Sequence, residues 1–539
     1  MRIKLSLLYL FILFSISGTA QTVWENPEKE VYRFLQRQAQ KGTIDLNDIV
    51  QPISRKQIAD KLAALESSGK LSPTEQKELA FYHQEYSEFD DYTDSLSLLK
   101  KDPAGRLRFL SVKTPGFTLR GDPLITLETI QGNGRSVFRK GNGLQFWGHA
   151  GARIGFQASF QDITESGTGI DSIRAFTPET GVVRTEGKNN KRLNYSDLRG
   201  HISYSWNNGS ISFGKDQLLI GYGEYGRPIL SNKAPSYPYI RLDYQPLKWL
   251  YFQYAHGWLQ SGIIDSARTY GTGNTVYGGQ RELFVQKFFA THSLNFLPVR
   301  GLSITLGESV VYSDKLNVGY LIPIMFFKAY DHYSSRYNIS AGSNGQFYLQ
   351  ASSRNHIPKT QLYASVFIDE IRLSEVLNNQ KSRNQIGFTL GASYTDLLPY
   401  LTIGTEYSRI NPFVYQNLQP AQTYTTQKYS LGDWMGNNAD RWLGYLSYTP
   451  IAKLKLRLQQ MRVRRGPQYS IEDQYFQEPQ PSFLTSTILD LTETQFTASY
   501  EWLNGLSIQG SFSNTGISNY ALGLEQHYTT FRLGVRLGF

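Results

Sequence analysis

From about Phe117 to the end of the chain, apolar and polar side chains alternate one for one, and this constrains the fold more than any other feature. In Leu144–Gln161 the even positions are Leu144, Phe146, Gly148, Ala150, Ala152, Ile154, Phe156, Ala158 and Phe160. The odd positions are Gln145, Trp147, His149, Gly151, Arg153, Gly155, Gln157, Ser159 and Gln161. Successive side chains of a strand point to opposite faces, so such a segment has one apolar and one largely polar face. The pattern returns in Ile386, Phe388, Leu390, Ala392 and Tyr394, and in Leu401, Ile403, Thr405 and Tyr407. Leu454, Leu456 and Leu458 alternate with Lys453, Lys455 and Arg457. At the end, Phe531, Leu533, Val535, Leu537 and Phe539 alternate with Arg532, Gly534, Arg536 and Gly538. An alternating last strand with a terminal aromatic is similar to the signal read by the outer-membrane assembly machinery, a partner this chain is expected to use.

Tight turns punctuate the alternation at Asn207-Asn208-Gly209, Gln245-Pro246-Leu247, Leu297-Pro298-Val299, Ile357-Pro358-Lys359, Leu398-Pro399-Tyr400, Thr449-Pro450-Ile451 and Leu503-Asn504-Gly505. They recur roughly 40 to 60 residues apart, which suits two tilted strands and one long loop per repeat. Gly-, Asn- and Tyr-rich stretches such as Gly262–Gln280 and Asn411–Asp440 supply the loops. With a further turn near Gly151, the expectation is a transmembrane antiparallel β-barrel of about 18 strands, in the all-β class, over residues 96–539.

The first residues indicate export. Met1-Arg2-Ile3-Lys4 is basic, Leu5–Ile16 is almost wholly apolar, and Ser17-Gly18-Thr19-Ala20 offers a cleavage site, so residues 1–20 read as a signal peptide with a mature start at Gln21. No later apolar run is long enough to cross a membrane as a helix. The chain holds 36 Tyr, 30 Phe and 47 Gly at a mean hydropathy of -0.38, as expected when strands alternate lipid-facing and water-facing residues in the outer membrane. It has no Cys, which excludes disulfides, thiolate metal sites and lipid attachment through a cysteine. The formal charge is +10, or +8 once Arg2 and Lys4 are removed with the signal. With no concentrated basic run in an exported chain, nucleic acid is excluded as a partner, and an anionic surface polymer is the better candidate.

Residues 21–95 read as a small helical region. Asn26-Pro27-Glu28 starts a helix in which Val31, Phe34 and Leu35 share a face. Ser54 and Gln57 are spaced as a capping box before Ile58, Leu62 and Leu65, and Ser72-Pro73 opens a third helix carrying Leu79, Tyr82 and Tyr86. Gly42 and Gly69 mark the joints.

If the apolar positions of the strands meet hydrocarbon, Arg153, Arg241, Asp243, Asp369, Glu406, Lys455, Arg457, Arg532 and Arg536 face the lumen, because a charge on the lipid side costs a few kcal/mol near the midplane. Glu308 shares parity with Leu302, Ile304 and Leu306; either a bulge at Gly307 re-aims it inward, the favoured expectation, or it already lies above the bilayer. There is no HExxH, GxSxG or P-loop, and His149, His201, His256 and His292 are scattered without ligand spacing. Asp369-Glu370 with Glu406 makes a poor hydrolytic pair, since adjacent strand residues point apart. Neither an enzyme, a cofactor nor a metal site is expected.

Several phrases resemble the Wzi capsule-assembly family: Gly214-Lys215, Leu230–Pro235, His292–Phe296, Leu306–Ser309, Gly319–Pro323, Phe367–Glu370, Asn411-Pro412 with Tyr415, and Leu431-Gly432 followed by Gly436–Asp440. Tyr32–Leu62, with Pro52-Ile53-Ser54-Arg55, is similar to that family's Bacteroidetes branch, which includes the gliding-motility protein RemB. The resemblance implies an outer-membrane lectin, a barrel with a helical bundle at its periplasmic end, that attaches surface polysaccharide to the cell. It leaves the sugar contacts unassigned. Polar and aromatic residues near the outer mouth are the candidates: Tyr222, Asn232, Glu308, Tyr320, Tyr415, Asn437 and Asp440, since rings stack on sugar faces and amides and carboxylates bond hydroxyls. A role in surface-adhesin movement and a diffusion porin are the alternatives.

Overall fold

The computed structural model describes residues 22–184, 191–273, 276, 278–337, 342–370 and 384–538. The expected signal peptide and the terminal Phe539 lie outside them. A hairpin comes first, β1 (Asp94–Lys101) and β2 (Leu107–Thr114). Next come β3 (Phe117–Gly132), β4 (Arg135–Ala150), β5 (Ile154–Gly167), β6 (Arg192–Trp206), β7 (Gly209–Asp216) and β8 (Tyr237–Leu247). They are followed by β9 (Leu250–Ile264), β10 (Phe284–Phe296), β11 (Leu302–Ser313), β12 (Asn344–Arg354), β13 (Thr360–Glu370) and β14 (Gln385–Thr395). The last six are β15 (Leu401–Ile410), β16 (Ala439–Ile451), β17 (Leu454–Arg465), β18 (Leu489–Leu503), β19 (Leu506–Asn519) and β20 (Leu524–Leu537).

Strands β3 to β20 pair antiparallel with their chain neighbours, and β20 returns to β3 with Leu537 opposite Ile125 and Thr530 opposite Gly132, closing an 18-strand barrel. The strand number read from the alternation is the number observed. The hairpin stands outside the closure: β2 takes the lower edge of β3, Leu110 opposite Gly121 through Thr114 opposite Phe117, below the stretch held by β20. Pro123, without an N–H to offer, sits where the edge passes from one partner to the other.

Apolar positions such as Phe160, Leu306, Phe496, Phe512 and Phe531 are exposed on the outer face, the surface a hydrocarbon solvent requires. One rim carries only tight connections, at 151–153, 207–208, 248–249, 297–301, 355–359, 396–400, 452–453 and 504–505. Two of the expected turns shift. Pro246 and Pro450 lie inside strand ends, at breaks in register between Tyr244 and Leu247 and between Tyr448 and Ile451, and the chain reverses two residues later. A residue with no N–H fits a break in the ladder. Arg153 is also corrected. It belongs to the turn between β4 and β5 and donates to the hydroxyl of Tyr204, which is exposed on the outer face, so it is not a lumen charge.

Three helices fill the mouth at the tight-turn rim: α1 (Glu30–Gln40), α2 (Arg55–Ser68) and α3 (Pro73–Glu85). The first starts at Glu30, later than Asn26, whose side chain instead accepts from the Glu28 amide in a turn. Ser54 caps α2 by accepting from the Gln57 amide, and Gly69 ends it in the left-handed conformation that only glycine adopts without cost. Ser72 and Glu75 form a reciprocal capping box on α3, with Pro73 at its first position. The helices bury Phe34, Leu35, Ile58, Leu62, Leu65, Leu79 and Tyr82 against one another, a core separate from that of the barrel.

Candidate functional site

The lumen is filled from both ends. From below, Val50–Gln51 extends the helical plug as a short strand and pairs with Leu219–Ile220 of the loop between β7 and β8. From above, the loops 217–236 and 411–438 fold inward, and Ile49, Val50, Ile220, Tyr222, Leu230, Tyr415, Tyr424, Leu431 and Trp434 close into one core inside the barrel. Each large apolar side chain buried there contributes about 1.5–3 kcal/mol. Lys233 locks a third loop by donating to the carbonyls of Thr177 and Glu179 at 2.8 and 2.9 Å, and Phe176 packs edge-on against Trp434.

Along much of β6 to β14 the plug packs against the wall and bonds many of its inward polar groups. The Ser203 hydroxyl donates to the Thr22 carbonyl, and Trp24 donates to Ser212 at 3.2 Å. Arg241 pairs with Asp243 at 2.7 Å, donates to the Pro52 carbonyl, and lies 3.8 Å from the centre of the Trp24 ring. Arg354 binds both oxygens of the fully buried Asp48 at 2.8 and 3.0 Å. Asn295 donates to Asn47, and Gln40 donates to the Ser393 carbonyl.

On the opposite side the plug stands off the wall. A cavity of about 630 Å³ lies between α1 and the inner face of β16 to β20, reaching down to Asn504 and Gly505 at the rim. Its wall presents amides and hydroxyls in register: Gln459 on β17, Gln495, Thr497 and Ser499 on β18, and Ser507, Gln509 and Ser511 on β19. Cations frame them, with Lys455, Arg457, Arg532 and Arg536 on the wall and Arg33 and Arg37 on α1. Arg33 keeps open surface although the barrel surrounds its helix. Arg457 holds Glu224 at 3.1 Å and covers the Tyr445 ring at 4.3 Å, Arg532 reaches Glu179 at 3.0 Å, and Arg536 stands 3.8 Å from Glu128. Arg37 and Lys455 share Glu78. The crevice therefore offers planar amides, hydroxyls and fixed guanidinium groups, the donors and acceptors that suit a hydroxyl-rich ligand bearing anionic substituents.

Charges on the plug are held by their surroundings. Burial raises the Glu75 carboxyl, but hydrogen bonds from Lys41, Ser72 and Gln38 outweigh it and hold the group at about 2. Burial likewise works against ionised Glu85, yet Arg108, Arg106, Lys29 and Arg55 keep it well below the usual carboxylate range. Glu224, in an inward loop, is also lowered, because Arg457 and Arg33 overcome its burial.

The residues expected to touch sugar are not gathered in one place. Tyr222, Asn232, Tyr415 and Asn437 lie at or beneath the inward loops, whereas Asp440 shares the outward parity of Trp442 and stands on the outer face. Tyr222 donates to Asp48 at 3.3 Å, and Tyr415 donates to the Pro228 carbonyl at 2.6 Å. The carbonyl of Asn232 accepts from Thr180, and that of Asn437 accepts from Gln468. Asp440 accepts from Tyr407 and pairs with Arg464 at 2.6 Å. Asp369 accepts from the Tyr415 amide and Glu406 pairs with Arg441, both inside the lumen.

Glu308 and Tyr320 are elsewhere. The ladder runs through Gly307 and Glu308 without a shift, opposite Ser293 and His292, so there is no bulge and Glu308 faces outward as its parity dictates. It is covered there by a segment that contains Tyr320. The crevice glutamines and hydroxyls were not singled out from the sequence. Their signal is the inward run Gln495, Thr497, Ser499 with Ser507, Gln509, Ser511, but an inward polar residue reads the same whether packed or open. Among the described residues, no group of three or more His, Asp or Glu is placed to hold a metal ion.

The fold and its filled lumen define a plugged 18-strand antiparallel barrel with a hydrocarbon-adapted outer surface. Among solved structures it is similar to Wzi of Escherichia coli, an outer membrane protein involved in group 1 capsule assembly and described as a carbohydrate-binding β-barrel. The TM-score is 0.59 at 13% identity over 96% of this chain and 100% of that one. It has a weaker likeness to two Pseudomonas aeruginosa proteins. For OccK5 (OpdH) the TM-score is 0.42 at 11% identity, over 78% of this chain and 97% of that one. For the outer membrane protein OprD it is 0.41 at 12% identity, over 78% of this chain and 93% of that one. No family model matches the chain, and no curated protein matches it. At these identities the likeness is one of fold.

Proposed function

We propose that this chain is an outer-membrane, non-enzymatic barrel that binds a surface polysaccharide and helps attach it to the cell, with the crevice beside α1 as the sugar-contacting surface. The observation that carries the reading is a cavity wall of amides, hydroxyls and arginines beside a plug whose inward loops bury a large apolar core. Gln495 and Gln509 bond sugar hydroxyls, Arg457 and Arg532 meet carboxylate or other anionic substituents, and the Tyr445 ring supplies an apolar face. Tyr222 and Tyr415 serve the site by holding the inward loops that roof it. The carbohydrate binding and capsule role described for Wzi agree with this reading.

The test is direct. The purified barrel, probed on an array of acidic and neutral bacterial polysaccharides, should retain a subset of them, and Arg457→Ala and Gln495→Ala should weaken that retention. In a deletion strain the polymer should leave the cell and accumulate in the medium. Unchanged attachment would remove the proposal. Steady conductance of the purified protein in planar bilayers would favour a diffusion pore instead.

A further inference from the structure

On most of the outer face the apolar side chains are open, Leu294 and Leu306 among them, but further along β9, β10 and β11 a patch of them is covered. Tyr254, Phe288, Val310 and Tyr312 point outward and are buried, because residues 314–337, between β11 and β12, turn back down the outside of the wall. Tyr320 and Phe327 insert against them, with the Tyr320 ring 4.6 Å from that of Tyr312. The descent is pinned at a charge. The short helix Phe327–Arg336 begins over Glu308, whose carboxylate accepts from the Phe327 amide at 2.6 Å. His292 bridges Glu308 at 3.0 Å and the Pro323 carbonyl at 2.8 Å. An outward glutamate is thus covered by a histidine and a helix start rather than left to hydrocarbon.

The free surface of this strap is the informative part. Ile324 is 83% exposed, and Ile322, Phe326, Tyr333 and Tyr337 are exposed with it. Loops over the aqueous mouth of a barrel have no reason to present such a surface. The patch is continuous with the barrel's own apolar belt, for Phe326 packs on the outward ring of Phe347. Exposed Lys328 and Arg336 flank it. Aliphatic and aromatic residues bordered by cations are the composition of elements that lie in a membrane interface.

We infer that the strap 314–337 is a membrane-binding element, seated against the acyl chains and headgroups of the outer leaflet on one side of the barrel, with Glu308 as its latch. This rests on the barrel lying in a membrane and is independent of sugar binding.

Because the chain has no Cys, single spin labels report without background. The full-length protein would be labelled at I324C, at L306C in the belt and at E472C on an exposed loop, then reconstituted in phosphatidylethanolamine–phosphatidylglycerol vesicles. The label at position 324 should favour collision with oxygen over a water-soluble nickel chelate, as at position 306. If position 324 meets the chelate as freely as position 472 while 306 stays shielded, the strap inference is overturned and the barrel reading stands. A wet label at 306 would overturn both. Adding Glu308→Gln should raise the mobility of the label at 324 several-fold, and unchanged mobility would refute the latch.

Discussion

The two sides of the lumen are built by one rule and put to different use. Along β6 to β14, inward residues such as Ser203, Ser212, Asn295 and Arg354 are buried and bonded to the plug. Along β17 to β19, inward residues of the same kinds, Gln495, Thr497, Ser499 and Gln509, line open space. The alternation that builds the cylinder demands a polar inner face everywhere, so polarity alone does not distinguish packing from binding. The side the plug leans on decides. The leaning is set by a few specific contacts, Trp24 on β7 and β8 and Asp48 on β12, with no equivalent set on β18 and β19 among the described residues.

The strongest way to break this contrast is to detach the packed side. Asp48→Ala leaves Arg354 buried without its partner and should cost about 3–5 kcal/mol, read as a lower unfolding midpoint in detergent. It should also let steady current through a barrel that is otherwise closed in planar bilayers. Acid attacks the plug from within. Glu75 stabilises it while ionised, that is, above the ordinary carboxylate range near ~4.3, and this contribution is lost as the pH falls through about 2. Protease cleavage within residues 30–90 should therefore rise between these values, and Glu75→Gln should show little such dependence. On the open side, Arg457→Ala should lower the unfolding midpoint less than Asp48→Ala does, since Arg33 still faces Glu224, while weakening polysaccharide binding about tenfold, or about 1.4 kcal/mol, by titration calorimetry. The smallest effect belongs to Ser72→Ala, which removes one cap from α3 and should cost about 1 kcal/mol of plug stability.

Much of the barrel was legible because hydrocarbon on one face and water on the other leave a strict period of two. Leu144–Gln161 shows both the strength and the limit of that signal. Its parity is right throughout, yet the chain reverses at 151–153 without disturbing it, which is why Arg153 was misplaced. The helix caps at Ser54 and Ser72 were legible because capping is local chemistry. Inward folding of the loops was not, since apolar residues such as Ile229, Leu431 and Trp434 have no period and find their core only through partners far along the chain. Glu308 is the instructive failure. Its parity points outward, where a charge is costly, and the bulge that would re-aim it is absent. The protein meets that cost with a helix start and a histidine delivered by a distant segment. The crevice was illegible for the reason the two walls teach: its residues differ from packed ones only in what does not touch them.

The contrast between the walls reduces to solvent access at two serines. With no native cysteine to compete, Ser499→Cys on β18 and Ser293→Cys on β10 can each be exposed to a small water-soluble maleimide in the folded, detergent-solubilised protein. The account predicts rapid modification at position 499 and almost none at 293 until the protein is unfolded. Equal rates at the two positions, or a protected 499, would contradict it.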